Sequence, residues 1–287
     1  MEIRNDIKYD EDIRNSFFDL AKCVFGLDLK GWYENGFWMD DYIPYCVVED
    51  GKVVSNVAVN VCNIKGRSRI RHLAQLGTVM TDPDYREKGY IRAVMEKVLS
   101  YCDRSFEGTY LYADEDMIPF YEKFGFRRIY EYQCTKKVNI TNKPTVEQIL
   151  MDSREECDRM VDIIQRRGQY GKRVMVGNPG LFMFHITGNI PKNVYYVPSS
   201  EAYAVANVEG DRLTLYAIFS SEKVGLGDVI SAFGSEIKQV TLAFTPENNT
   251  GFEIKRIESP DSVLLTQGEV FSGIGSDRFM FPEISHA

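Results

Sequence analysis

The stretch from Leu76 to Leu99 constrains the fold more than any other part of the chain. An apolar-rich run, Leu73 to Met80, ends at Asp82-Pro83 and reads as a strand. It passes through Arg86-Glu87-Lys88-Gly89 into a second pattern, in which Ile91, Val94, Met95, Val98, Leu99 and Cys102 fall on one face of a helix. A strand feeding a helix through a tight loop leaves the helix's first amide N–H groups without intrahelical partners. Together with the helix dipole they make an anion site, and Gly89 lets a phosphate approach the backbone closely. Arg86 and Lys88 add positive charge that Asp84 and Glu87 partly offset. The same residues also suit an ordinary strand–helix turn with solvated charges, because short motifs recur by chance.

Strand and helix signals alternate on either side of this stretch. Asp12 to Val24 has helical spacing, and Asp50-Gly51 separates two β-branched runs, Tyr45–Val48 and Val53–Val59, as a hairpin turn does. Thr109–Ala113 reads as a strand, Met117–Phe124 as a short helix and Phe126–Lys136 as a final long strand. The pattern breaks at Asn139 to Lys143, and a helical stretch is expected from Val146 onward. We therefore expect two domains of mixed α/β structure, residues 1–137 and 138–287, a division that a chain of 287 residues accommodates. The second half echoes the first: strand Ala202–Val208, turn Glu209-Gly210-Asp211, strand Leu213–Phe219, helix Gly227–Phe233 and strand Val240–Phe244. Gly251-Phe252 then opens a further strand, as Gly125-Phe126 does. An internal duplication and two unrelated α/β domains both fit this order.

Charge and composition narrow the function. A net charge of −8 excludes the broad basic surface of a nucleic-acid binder. It suits a cationic substrate, or simply solubility. No apolar run is long enough to span a bilayer, and Met1 to Asp6 lacks a signal pattern, so a soluble cytoplasmic protein is expected. The six cysteines have no paired spacing and read as buried reduced thiols. Three histidines without ligand spacing give no metal site.

Residues 45–133 resemble the GCN5-related N-acetyltransferases (GNAT). The likeness lies in strand order, in the Arg-x-x-Gly loop before the central helix, and in Phe120-Tyr121-Glu122-Lys123-Phe124-Gly125-Phe126. The run Arg86 to Met95, with Ile91 followed by Arg92-Ala93, looks more like the Eis-type (enhanced intracellular survival) branch. Its members carry a second, degenerate acetyltransferase-like domain and usually a third, sterol-carrier-like one, for which this chain leaves no room. The resemblance implies a tandem GNAT acyltransferase fold and acetyl-CoA as co-substrate. The pyrophosphate would lie on the amides of Arg86, Glu87, Lys88, Gly89, Tyr90 and Ile91, the pantetheine arm near Val79 and Met80, and Asp114 on the cofactor side. The second half, with Ser220 to Gly227 and no arginine, is expected not to bind it.

The resemblance further implies transfer of acetyl to a primary amine of a small molecule or peptide, with Tyr121 as general acid. No carboxylate stands in Gln75-Leu76-Gly77-Thr78, where many relatives have a glutamate. Candidates for the base are Glu115 or its neighbour Asp114, an ordered water, His72, or the carboxylate of Ala287 at the end of an apolar tail, Phe279 to Ala287, that otherwise packs elsewhere or in an oligomer contact. Trp32 to Asp41 would roof the pocket, either holding an amine by cation–π and charge contacts or serving as a hydrophobic lid. An aminoglycoside, another polyamine or a peptide N-terminus would fit. The alternative is a non-catalytic acyl-CoA-binding or regulatory module that kept the loop and lost turnover.

Overall fold

The structure, a computed structural model, describes residues 2–66, 69–188, 192–272 and 277–287. Its first half opens with β1 (Glu2–Arg4), α1 (Glu11–Phe25) and α2 (Lys30–Glu34). Asp10 caps α1 by accepting from Ile13 N, and Gly26 ends it at φ 68°. Then come β2 (Tyr42–Glu49), β3 (Lys52–Lys65), β4 (Ile70–Thr81) and α3 (Tyr90–Ser105). Asp50 and Gly51 both take positive φ, 50° and 78°, as the turn between β2 and β3 demands. β5 (Gly108–Ala113), α4 (Ile118–Glu122), β6 (Arg127–Arg128) and β7 (Tyr132–Lys137) follow.

The second half continues with β8 (Glu147–Ile149), α5 (Arg154–Arg166), β9 (Gly168–Gln169), β10 (Val174–Val176), α6 (Pro179–Thr187) and β11 (Asn193–Val197). It closes with β12 (Ala202–Glu209), β13 (Arg212–Ser220), α7 (Leu226–Ala232), β14 (Gln239–Leu242), β15 (Glu253–Arg256) and β16 (Val263–Gln267). Val146 thus leads into a strand rather than a helix; the helix starts at Arg154, where Ser153 Oγ accepts from Glu156 N.

The strands form two mixed sheets of matching order. The first runs β1-β2-β3-β4-β5-β16-β6 and the second β8-β11-β12-β13-β14-β7-β15. Each contains one parallel pair, β4/β5 and β13/β14. The sheets do not divide at residue 137/138. β7 from the first half lies in the second sheet between β14 and β15, and β16 from the second half lies in the first sheet between β5 and β6. The expected long strand Phe126–Lys136 is accordingly two strands in different sheets, with buried Glu131 at the crossover.

Packing is layered around this exchange. α3 covers one face of the first sheet through Val94, Met95, Val98 and Leu99, and α7 covers the outer face of the second. Between the sheets lie α1, α5, α6 and the tail residues Phe279, Phe281 and Ile284, in one continuous apolar core. Trp32 and Trp38 belong to that core. Their rings lie 6.0 Å apart, Trp32 Nε1 donates to Gly180 O, and neither ring lines the cavity described below, so they do not form the expected roof. All six cysteines are free and five are buried. Among the described residues no helix is long and apolar enough to cross a membrane.

Candidate active site

The site begins where two parallel strands part. β4 and β5 are paired from Leu73/Gly108 to Leu76/Leu111 and no further. Just beyond, Thr78 takes a left-handed φ of 44° and the β3/β4 register shifts. A β-branched residue in that conformation is strained, and its neighbours hold it there. Asn56 Nδ2 donates to Thr78 O at 2.8 Å, and the Tyr42 hydroxyl lies 2.7 Å from Thr78 Oγ1. The bulge turns β4 away from β5 and opens a cavity of about 680 Å³.

One end of the cavity meets the loop singled out in the sequence. Asp82 accepts from Asp84 N and pairs with Lys52, which fixes the exit from β4. Glu87 and Gly89 then both take positive φ, 62° and 81°. Gly89 is the N-cap of α3 and offers no side chain to its first amides; nothing lies within 4 Å of the position a Cβ would take. Those amides therefore face open space, the arrangement a phosphate needs. Val79, Met80, Arg86, Ile91 and Asp114 line the cavity. Glu87, Lys88, Gly89 and Tyr90 form the adjoining loop, with Lys88 Nζ 4.2 Å from the Tyr85 ring centroid.

Tyr121 and Ala287 reach the same cavity from opposite faces of the sheet. Tyr121 is buried beside Phe120 and Phe126 on the α3 face. Burial, and secondarily the Asp114 carboxylate, push its phenol well above the ordinary value. Glu115 does not line the cavity; it is half exposed and paired with Arg128 at 2.6 Å. His72 is also remote from it, stacked on Phe106 with Nδ1 2.8 Å from Asn63 Oδ1.

The tail arrives through contacts built by both halves. Met280 exchanges two hydrogen bonds with Thr245, and Phe281 N donates to Glu131 Oε1 at 2.7 Å. His185 Nε2 donates to His286 O at 2.7 Å, and the His286 ring stacks 3.7 Å from that of Tyr112. Burial lowers the imidazoles to about 4 and about 3, so both rings are neutral. Gln75 completes the clamp. With its amide turned as its neighbours require, Nε2 donates to Ser285 O and Oε1 accepts from Ala287 N, both at 2.8 Å. Gly77 leaves room for the last residue: a Cβ there would lie 3.1 Å from the Ala287 carbonyl carbon. Glu131, raised by burial to about 7, also accepts from the Tyr112 hydroxyl. Sequence reasoning missed Gln75, Tyr112, Glu131 and His185; Gln75 was visible only as the absence of a carboxylate.

Comparison with known proteins agrees with this architecture. Residues 10–129 match the family model of the acetyltransferase (GNAT) domain. Three solved structures share the fold at low identity. A probable N-acyltransferase from Enterococcus faecalis is 15% identical, with 93% of this chain and 72% of that one covered at a TM-score of 0.63. Eis1 from Mycobacterium abscessus is 10% identical, with 92% and 73% covered at 0.58. A GCN5-related N-acetyltransferase from Kribbella flavida is 14% identical, with 93% and 72% covered at 0.56. No curated protein sequence matches the chain. The match of residues 10–129 to the family model, the parted parallel pair and the open helix N-terminus agree on a GNAT fold, here in a tandem form whose two sheets exchange a strand.

Proposed function

We propose that the chain is an acetyl-CoA-dependent N-acetyltransferase that moves an acetyl group directly to a primary amine. The observation that carries this reading is one cavity that adjoins the open N-terminus of α3 and is lined by Tyr121 and Ala287. The amides of Arg86 to Ile91 would take the pyrophosphate, and the freed edge of β4 at Val79 and Met80 would take the pantetheine arm, with Asp114 at its side.

In the transfer, the ammonium first gives one proton to solvent; the neutral nitrogen then attacks the acetyl carbonyl carbon and loses its second proton to the Ala287 carboxylate. The N–C bond forms, the C–S bond breaks, and the departing thiolate takes the Tyr121 hydroxyl proton. A phenol held above its ordinary value is fully protonated at pH 7, as a donor must be. Gln75 positions the carboxylate through Ser285 and Ala287.

A second reading, an acyl-CoA-binding module without turnover, is favoured by one observation: an amide, Gln75, stands where relatives carry a glutamate. Calorimetric titration with acetyl-CoA, paired with thiol-release assays, separates the two. The transferase reading expects saturable binding and amine-dependent thiol release. Tyr121→Phe should lower kcat by roughly 10²–10³ at unchanged acetyl-CoA affinity. Removing residues 285–287 should abolish turnover and spare binding. Binding without thiol release would establish the second reading, and no binding would sink both.

A further inference from the structure

Resting on the acetyl-CoA reading, we infer that the acceptor is an amine with a single positive charge on an apolar body, entering from the α1 face, and that Phe25 and Leu27 select it. The cavity is two-sided. Ile91, Phe120 and Tyr121 belong to the core on the α3 face of the first sheet, where the phosphate loop also lies. Val24, Leu27 and Tyr112 pack against the core on the opposite face, and Phe25 and Ala287 join them in lining the cavity. The co-substrate occupies the first side, so the amine comes from the second.

The chemistry of that second side is apolar. Val24 and Phe25 are the last two residues of α1, and Leu27 follows the left-handed Gly26 that ends it. Phe25 is 48% exposed and Met117, also lining the cavity, 43%. Exposed large apolar side chains around a cavity mouth are a ligand surface in waiting. Among the described lining residues only Arg86 and Asp114 carry charged side chains. Arg86 belongs to the phosphate loop and Asp114 flanks the pantetheine arm, which leaves the Ala287 carboxylate to face an ammonium group. The acids near the predicted roof do not contribute: Asp40 pairs with Lys8, and neither Glu34 nor Asp41 lines the cavity. A polyamine or aminoglycoside would set further ammonium groups against the apolar side chains of Val24, Phe25 and Leu27 without counter-charges, which is unfavourable. The acidity of the whole chain, which by itself suits a polycation, is not expressed on this wall.

The test compares 2-phenylethylamine, spermidine and kanamycin by thiol release at saturating acetyl-CoA, with calorimetric titration of acetyl-CoA alongside. We expect kcat/KM for 2-phenylethylamine to exceed that for the two polycations at least about tenfold. Phe25→Glu places a carboxylate on the apolar wall and should shift the spermidine-to-phenylethylamine ratio of kcat/KM upward by tenfold or more. Phe25→Ser, which removes the ring without adding charge, should lower the phenylethylamine value and leave spermidine slow. Preference of the wild type for spermidine or kanamycin would overturn the inference alone, as would a ratio unmoved by Phe25→Glu. Failure of acetyl-CoA to bind would overturn the transferase reading and this inference with it.

Discussion

The two sheets share strand order and a single parallel pair, yet among the described residues the parting of that pair is open in one sheet and filled in the other. In the first, β4 and β5 diverge after Leu76 and a cavity follows. In the second, β13 and β14 diverge after Leu215, and the chain fills the space itself. Gly168 and Gln169 pair with the end of β13, Tyr170 N donates to Ile218 O, and Lys172 N donates to Thr245 O beyond β14. The tail adds Glu283 N to Ala243 O. The helices differ in the same sense. α3 is 16 residues long and starts at a left-handed glycine with open space around it. α7 has 7 residues and starts at Gly225 with an ordinary φ of −82°, crowded by Asp228. Strand order therefore does not distinguish a site from a scaffold in this fold; what occupies the gap between the parallel strands does. The closed half serves the open one, since Thr245, Ala243 and α6 hold the tail that ends beside Gly77.

The largest effect should come from separating the halves. A fragment of residues 1–137 loses β16, leaving β5 an open edge, and leaves β7 without β14 and β15. It should fail to show a cooperative thermal transition and should aggregate. A soluble fragment with a sharp melt would show that the exchange is dispensable.

A matched pair of substitutions then probes the two helix starts. Gly89→Glu forces a side chain into φ 81° and puts negative charge on the anion site. Acetyl-CoA affinity should fall on the order of a hundredfold. Gly227→Glu, at an exposed position in the first turn of α7 with nothing within 4 Å of a Cβ, should leave affinity unchanged. It should stabilise the protein by less than about 1 kcal/mol, the smallest effect in the series. Equal losses of affinity from both would erase the distinction between the sheets.

Between these in size lies Glu131, at the crossover. Its carboxyl is held at about 7 against a usual 4.5, so the folded protein keeps a proton that the unfolded chain releases between those values. Its contribution to stability therefore falls as pH rises from about 4.5 to about 7. His185 and His286, neutral down to about 4 and about 3, act in the opposite direction below their usual value of 6.5. The difference between wild type and Glu131→Gln isolates the carboxyl. The variant should gain roughly 3 kcal/mol relative to wild type across that window, measured by denaturant unfolding at each pH. A pH-independent difference would mean that Glu131 titrates as an ordinary surface acid.

Much of the first half was legible because its signals are local. Asp50-Gly51 and Gly89 stand out since few residues tolerate positive φ, and the apolar stripe of α3 follows from helical geometry. The tail drew notice through its apolar run. Val146 misled because three residues of strand carry too little periodicity to separate from a helix start. Trp32 to Asp41 looked like a binding surface because aromatics beside acids suit both a site and a core rim. Only the packing of α6 beneath Trp32 distinguishes these.

By itself the sequence determined the hairpin, the amphipathic stripe of α3 and the strand–loop–helix unit that ends at Gly89. These depend on dihedral preferences and periodicities that a few neighbouring residues set. Only the tertiary structure decided that β7 and β16 trade sheets, that residues 168–172 close the second gap, and that Gln75 grips a tail 210 residues further on. Strand partners and the contents of a gap are chosen by long-range burial and hydrogen-bond satisfaction, and a local window of sequence carries no record of which distant segment supplies them.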